Sequence, residues 1–440
     1  MKFTLVVLGL LILSLLILDS KAESYTASET ASNKFISPNE ISLDNSSSNF
    51  FAITVKGSPY ERGFQHGKQL RKIIRPSVNR FKYDLVVPLM NQLGLEGKYD
   101  NYKNYFLNHT KLLQTASNLV PELVEEIKGI ADGAQLDFED LFIYNLNFDE
   151  TFWVLEKMSG IDPILAMEKK NNHHIDGHCS HGSVWNNDKA SVAYTLDWVR
   201  TFEGTQTLIK HEKENGEVLL MTTYAGTLIG HGINASKGYT FTPHSKFQLE
   251  HDVDNGLAQI FIYRKIIEAG SVEKAIYFLH KIKPAAGLAY TLTDYRGTRT
   301  YEISSSKIVE FHSEENFMVV CNAARVNDNL SQSNIKEYKL IGENIDMNNL
   351  PAVYWQNNKD SQERYDKIKQ GIKKCSSKNM SPEKWQKIFI QKPINKPVNE
   401  ELATSNLWHV VEIDKRHIIY HVSPGNPGSL PLETFKIKYK

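Results

Sequence analysis

The sequence predicts a layered α+β fold, with helices first and strands after. Helical periodicity dominates residues 77–160, and a polar stretch follows at 161–178. From Cys179 onward, alternating β-rich runs take over with a few helical interruptions. The 440 residues are 41% hydrophobic and 23% charged, enough apolar material for a large core. That composition excludes a disulfide-stapled miniprotein, collagen and a mostly disordered chain. Lysine plus arginine (51) balances aspartate plus glutamate (51), so no basic excess points to nucleic acid.

Residues 1–22 read as a secretory signal. Lys2 gives the positive start, Leu5 to Leu18 the apolar run, and Ser20 and Ala22 the small residues of a cleavage site. The run is short for a membrane span, so the expected product is exported and free of the membrane; the alternative is an uncleaved anchor. Residues 23–50, rich in Ser, Asn, Thr and Glu, are predicted to be a poorly ordered leader.

FFAITV (50–55) reads as a strand. Ser58-Pro59-Tyr60-Glu61 then has the capping-box pattern, and the helix it opens is predicted to run to about Arg75 and stop at Pro76. Pro121 opens a segment with Leu123, Ile127 and Ile130 at helical spacing, ending near Gly133. Asp137 and Asp140 suit the start of the next helix, through Leu141 and Tyr144. Past Cys179, SVAYTLDW (191–198) alternates as a strand. Runs 288–293 and 299–304 form a hairpin around Arg296-Gly297, and 407–413 with 417–422 form another. Helices are expected near 257–282 and 361–374.

The cysteines are Cys179, Cys321 and Cys375. In an exported chain an odd count leaves at least one thiol unpaired, and pairing of Cys321 with Cys375 stays open. Sequons at Asn45, Asn108, Asn234, Asn329 and Asn379 raise the expectation of a glycoprotein.

Cys179, in Asp176-Gly177-His178-Cys179-Ser180, stands where the helical part gives way to strands. A thiolate is a strong nucleophile but needs a base and oxyanion donors. Self-cleavage before Cys179 would free an α-amino group with a reference pKa of about 7.7–8.0, suited to act as that base. Two other readings stand beside it. One is a buried structural thiol. The other is zinc held by His173, His174, His178, Cys179 and His181, although their spacing fits no standard finger.

Several motifs, in order from about 57 to 430, resemble the acyl-coenzyme A:6-aminopenicillanic acid acyltransferase (isopenicillin N acyltransferase) family. They are Gly57-Ser58-Pro59-Tyr60-Glu61-Arg62-Gly63 with Gln65-His66-Gly67, Leu196-Asp197-Trp198, and Ala225-Gly226 to Gly230-His231-Gly232-Ile233-Asn234. Cys321-Asn322-Ala323, Ser361-Gln362-Glu363-Arg364-Tyr365, and Ser423-Pro424-Gly425-Asn426-Pro427-Gly428 complete the set. The family usually places glycine directly before the nucleophile, where this chain has His178.

The resemblance implies a four-layer αββα sandwich of the N-terminal nucleophile hydrolase type and autocleavage between His178 and Cys179. The helical α chain (51–178) and the β chain (179–440) would stay associated. The implied activity is a cysteine hydrolase or acyltransferase on linear amides, acting through a thioester. Related members hydrolyse β-alanyl amines, conjugated bile acids and N-acylethanolamines. By the same resemblance Cys179 is the nucleophile, Asp197 orients its amine, Asn234 and Asn322 give oxyanion donors, and Arg364 sits beside them. Trp198, Tyr224 and His231 are pocket candidates. No metal or organic cofactor is implied, and the expected partner is a small amide substrate. Alternatives on the same sandwich are a phospholipase B-like protein, an acylethanolamine or ceramide amidase, and an uncleaved binding protein.

Overall fold

A computed structural model describes residues 34–43, 50–147, 149–163, 179–313, 315–331, 358–375, 380–396, 403–428 and 432–440. The signal segment, most of the leader, His173, His174, His178 and the sequons at Asn45 and Asn379 lie outside these residues. Among the described residues, no helix is long and apolar enough to cross a membrane.

The strands are β1 (Phe51–Gly57), β2 (Ser180–Trp185), β3 (Lys189–Val199), β4 (Gln206–Lys213), β5 (Val218–Tyr224), β6 (His231–Asn234), β7 (Tyr239–Ser245), β8 (Leu288–Asp294), β9 (Gly297–Ile303), β10 (Ile308–Phe311), β11 (Phe317–Val320), β12 (Ala403–Asp414), β13 (His417–Ser423) and β14 (Glu433–Lys438). They form two sheets. One runs β1-β4-β5-β6-β7-β8-β9-β10, with β1 and β4 parallel and the rest antiparallel; the other runs β11-β2-β3-β12-β13-β14, antiparallel throughout.

The helices are α1 (Pro59–Gln69), α2 (Arg71–Arg80), α3 (Val87–Gln92), α4 (Tyr99–His109), α5 (Leu112–Leu119), α6 (Pro121–Ala134), α7 (Phe138–Asn145), α8 (Asp149–Ser159), α9 (Gln259–Glu268), α10 (Val272–Leu279), α11 (Lys359–Lys374) and α12 (Pro382–Phe389). α1, α9 and α10 lie on the eight-stranded sheet, and α11 lies on β2 and β11 of the six-stranded one. The sheets face each other through β2, β3, β8 and β9, which gives the αββα order of layers. Tyr194 Oη crosses between them to the Pro243 carbonyl (2.7 Å), as does Thr298 Oγ1 to Ser183 Oγ (2.9 Å).

The predicted capping box is present: Glu61 N donates to Ser58 Oγ, and Glu61 Oε2 accepts from Ser58 N. The helix does not run to Pro76, however. It ends at Gln69, and α2 begins at Arg71 and carries Pro76 inside it. Pro76 and Lys72, four residues earlier, are both exposed, so water can solvate the carbonyl that proline leaves unpaired.

α1 and α6 touch backbone to backbone. Gly63 and Gly67 face Gly129 and Gly133, and a Cβ on Gly63, Gly67 or Gly129 would overlap the carbonyl of Glu126, Ile130 or Tyr60 respectively. Much of the Gly57–Gly67 motif is therefore a packing device. Arg62 bonds Glu126 (2.9 Å) and the Gly57 carbonyl (2.6 Å). His66 Nε2 accepts from Gly226 N (3.0 Å), tying α1 to the turn before β6.

Residues 34–43, within the predicted loose leader, are held in place. Ile36 bridges Ile437, Ile41 and Leu43 are buried, and Lys210 Nζ donates to the carbonyls of Asn39 and Ile41. The apolar Ile36, Ile41 and Leu43 give this stretch something to bury, which the composition of the whole leader hides. Among the described residues, Cys179, Cys321 and Cys375 are all free thiols.

Candidate active site

Three sequence-predicted residues meet at one end of the six-stranded sheet. Cys179 precedes β2, Asp197 lies near the end of β3, and Asn322 follows β11, the strand that pairs with β2 on its other side. Cys179, Asp197 and Trp198 line a small, largely enclosed cavity with Leu196, Gly230, Pro243, Ser245 and Tyr263. A larger cleft lies elsewhere, along Trp185, Lys189, Lys384 and His417. Its serines are committed: Ser191 lies between Trp385 and Met380, and Ser381 caps α12.

Arg364 joins the three from behind. Asn358 caps α11 by accepting from Ser361 N (2.9 Å), which sets the phase of the first turn and turns Ser361 and Arg364 inward, both fully buried. Arg364 Nη1 donates to the Cys179 carbonyl (2.8 Å), Ser180 Oγ (3.0 Å) and Asn322 Oδ1 (3.2 Å). Nη2 reaches Asn322 Oδ1 (3.3 Å) and Ser361 Oγ (3.2 Å), and Nε pairs with Asp360 (2.7 Å). The fork fixes which way the Asn322 amide points. Asn322 Nδ2 donates to the Ser245 carbonyl at 3.1 Å.

Asp197 is buried, and neither of its carboxylate oxygens has a hydrogen-bond partner. Burial pushes its pKa up to about 7. Lys396, the Ser405 hydroxyl on the opposing strand and Arg364 oppose that rise, the hydroxyl without closing a full hydrogen bond. A β-bulge on β12 between Ser405 and Leu407 lies directly across from Leu196 and Asp197. Bulges of this kind re-aim side chains beside sites. Here Asn406 turns in and donates to the Trp198 carbonyl (3.1 Å).

Cys179 is 5% exposed. Burial pushes its thiol up to about 12, the nearby Tyr194 hydroxyl works against that rise, and the Asp197 charge adds to it. In an uncut chain this thiol is neutral near pH 7, and a nearby cation would bring it down.

The other predicted residues fall elsewhere. Asn234 closes the β6–β7 turn: its Nδ2 donates to Glu217 (2.8 Å) and the Ile267 carbonyl (2.9 Å), and its Oδ1 accepts from Lys237 N (3.0 Å). Both its amide hydrogens are spent there, so the structure does not bring it to Cys179 as an oxyanion donor, and its burial leaves no room for a glycan. Asn329 is likewise engaged, donating to Glu250 (2.9 Å) and Ser304 (2.9 Å), whereas Asn108 is exposed on α4.

Tyr224 and His231 do not line the cavity. His231 belongs to a seam between the sheets, where its ring meets Tyr194 (5.0 Å) and His409 (4.5 Å). His181 and His244 meet in the same seam at 5.9 Å. His181 thus points into the core, with Nδ1 bonded to Thr242 Oγ1 at 2.9 Å. Among the described residues no three His, Cys, Asp or Glu side chains group as a metal site.

Sequence reasoning missed Tyr194, Ser245 and Tyr263. Strand alternation offered a signal for the first: Tyr194 pairs with His181, two residues past Cys179, and shares its face. Ser245 and Tyr263 come from the opposite sheet and its helix, and no local pattern ties them to Cys179.

A family model described as acyl-coenzyme A:6-aminopenicillanic acid acyl-transferase matches residues 185–411, just over half of the chain. The match takes in Asp197, Asn322 and Arg364 and begins after Cys179. An uncharacterized protein of Archaeoglobus fulgidus is 28% identical over 142 residues, covering 29% of this chain and 21% of its own length. This chain thus spans about a fifth of that relative. With two facing sheets flanked by helices and the matched stretch running through both of them, the chain belongs to the acyl-coenzyme A:6-aminopenicillanic acid acyl-transferase family, whose members are acyltransferases or hydrolases of the N-terminal nucleophile type.

Proposed function

We propose that this chain is an exported, self-processing cysteine hydrolase of linear amides. It cuts itself between His178 and Cys179 and then works through a thioester on Cys179. The observation that carries this reading is Asp197, whose buried carboxylate has both oxygens unpartnered on the wall it shares with Cys179. Leaving a buried acceptor unsatisfied costs about 1–3 kcal/mol, more for a charged one. The α-amino group released by a cut before Cys179 would give this carboxylate the hydrogen-bond donor it lacks, beside the more distant charges of Lys396 and Arg364.

In self-processing, Cys179 Sγ adds to the His178 carbonyl carbon and the Cys179 nitrogen leaves with a proton. Water then hydrolyses the thioester, giving a carboxylate at His178 and restoring the thiol. In turnover the free amine takes the thiol proton, and the thiolate adds to the substrate carbonyl. Asn322 has one amide hydrogen on Ser245 and one left for the oxyanion, a donor worth about 2.7–4 kcal/mol in the transition state. The amine returns its proton to the departing nitrogen, and water resolves the acyl-enzyme. An exported enzyme meets little acyl-coenzyme A, which favours hydrolysis over transfer.

Intact mass and N-terminal sequencing test the reading. Wild type should give two associated fragments, the second beginning at Cys179, while Cys179→Ala and Asp197→Asn remain one chain. A wild-type chain that stays whole yet hydrolyses amides would overturn the mechanism. One that stays whole and whose Cys179 resists iodoacetamide would be a binding protein on this fold.

A further inference from the structure

The turn that carries Asn322, residues 321–327, is folded around a buried ion pair from the other sheet. Lys246, directly after β7, and Glu302, in β9, are both fully buried, with Nζ 3.2 Å from Oε1. Lys246 Nζ also donates to the carbonyls of Cys321 and Ala323, each at 2.7 Å. Three acceptors thus take the three hydrogens of one ammonium. Burial draws its pKa down, and the Glu302 carboxylate works against that. Glu302 also closes the turn. Its carboxylate accepts from Arg325 N (2.9 and 3.0 Å), Val326 N (2.9 Å) and Asn327 N (3.0 Å), and its main-chain carbonyl accepts from Asn327 Nδ2 (3.1 Å).

The two carbonyls on Lys246 flank Asn322. Ala323 N, between them, donates to Ser361 Oγ (3.1 Å), so the successive peptide planes from Cys321 to Ala324 are all pinned. The Ser245 carbonyl that takes one Asn322 hydrogen is fixed as well, because the Ser245 hydroxyl donates to the buried Asp149 (2.8 Å). Arg364 holds the side chain of Asn322, and Lys246 holds the main chain from which it springs. Stability alone is a poor reason for such a pair, since apolar side chains of similar volume often serve as well. A preorganised donor, in contrast, works only if it is already aimed when the oxyanion forms.

We infer that Lys246, with Glu302 as its counter-ion, is a positioning residue for the oxyanion donor. It sets the main chain around Asn322 so that the free amide hydrogen meets the tetrahedral intermediate on Cys179. The inference rests on the proposed reaction, with Cys179 as nucleophile and Asn322 as donor.

The test compares two reagents at one thiol. 4-Nitrophenyl acetate acylates Cys179 through a tetrahedral oxyanion and releases 4-nitrophenolate. Iodoacetamide alkylates it by direct displacement of iodide, with no oxyanion. Intact mass follows both, with Cys179→Ser to assign the adducts. The ratio of the two rates cancels the exposure and ionisation of the thiol, which cleavage changes, and the same spectra show the cleavage. Asn322→Ala should lower the acylation-to-alkylation ratio about 10²-fold, and Lys246→Met about tenfold or more. Added to Asn322→Ala, Lys246→Met should change the ratio by less than about twofold, because the lysine acts only through that amide. If Lys246→Met does not fold, the pair Lys246→Met with Glu302→Gln strands no charge and should give the same fall. An unchanged ratio in the folded variant, or effects that multiply in the Asn322→Ala background, would overturn the inference. A wild-type ratio indifferent to Asn322→Ala would remove the proposed donor itself, and the inference with it.

Discussion

Arg364 Nη1 lies 2.8 Å from the Cys179 carbonyl oxygen while the same guanidinium holds Asn322 Oδ1 at 3.2 and 3.3 Å. One buried cation thus sets both the main chain of the nucleophile and the orientation of the amide beside it. A planar fork can serve several acceptors at once; an ammonium on a flexible stem cannot hold that geometry. Arg364→Lys should therefore fold yet lose both self-cleavage and turnover by about 10²-fold, the cost of an ångström-scale misplacement. A time course of fragment appearance after synthesis checks this. A lysine variant that cleaves at the wild-type rate would remove Arg364 from the positioning apparatus.

The glycines of α1 and α6 make a prediction about stability alone. A methyl group on Gly63 would overlap the Glu126 carbonyl, so alanine must push the helices apart or bend one of them. Overpacking of this kind costs about 1–3 kcal/mol. Gly63→Ala should lower the melting temperature while the fraction of folded molecules that cleave stays at the wild-type level. An unchanged melting temperature would mean that the close approach contributes nothing to stability.

The fold was largely legible because each half carries its own period. SVAYTLDW alternates and lies within β3, both hairpins pair as expected, and Asp137 caps α7 by accepting from Asp140 N. Pro76 is a weak stop signal, because an exposed position inside a helix can carry proline. At the site, Cys179, Asp197, Asn322 and Arg364 come together as their motifs suggested. Asn234 does not, since a motif fixes an asparagine's place in the chain but not what its amide meets. His231 shows the same limit: its strand is correct, but its side chain joins the histidine seam and not the cavity. Ser245, Tyr263 and Asp149 depend on contacts 60 or more residues apart, which one sequence does not encode in any local pattern.

The histidine seam predicts how the protein responds to acid. Burial pushes His66, His181 and His409 down to about 3, and His211, His231 and His244 well below their ordinary value. Both ring nitrogens of His409 lack a partner, and its ring packs against Tyr194 (5.5 Å), His231 (4.5 Å) and Tyr420 (5.7 Å). His66 must stay neutral to accept from Gly226 N. These groups bind protons more readily once unfolded, so their contribution is complete above about pH 6.5 and is lost as pH falls from there toward 3. For a histidine lowered from 6.5 to about 3, that loss is about 2 kcal/mol at pH 5.

Asp197 and Glu150, both raised to about 7, and Asp149, raised well above its usual value, act in the opposite sense. They favour the folded chain at low pH, and that help fades as pH rises from about 4 through 7. Six histidines against three acids leave acid lability as the net result, with the melting temperature falling as pH drops from 7 to 5. His409→Phe removes one of these titrating rings without stranding a hydrogen-bond partner. The variant should match wild type within about 1 kcal/mol at pH 8 and hold its melting temperature to lower pH. Thermal unfolding followed from pH 4.5 to 8 measures both. If the acid limbs of the two proteins coincide, His409 does not titrate in the transition and the seam is not what makes the fold sensitive to acid.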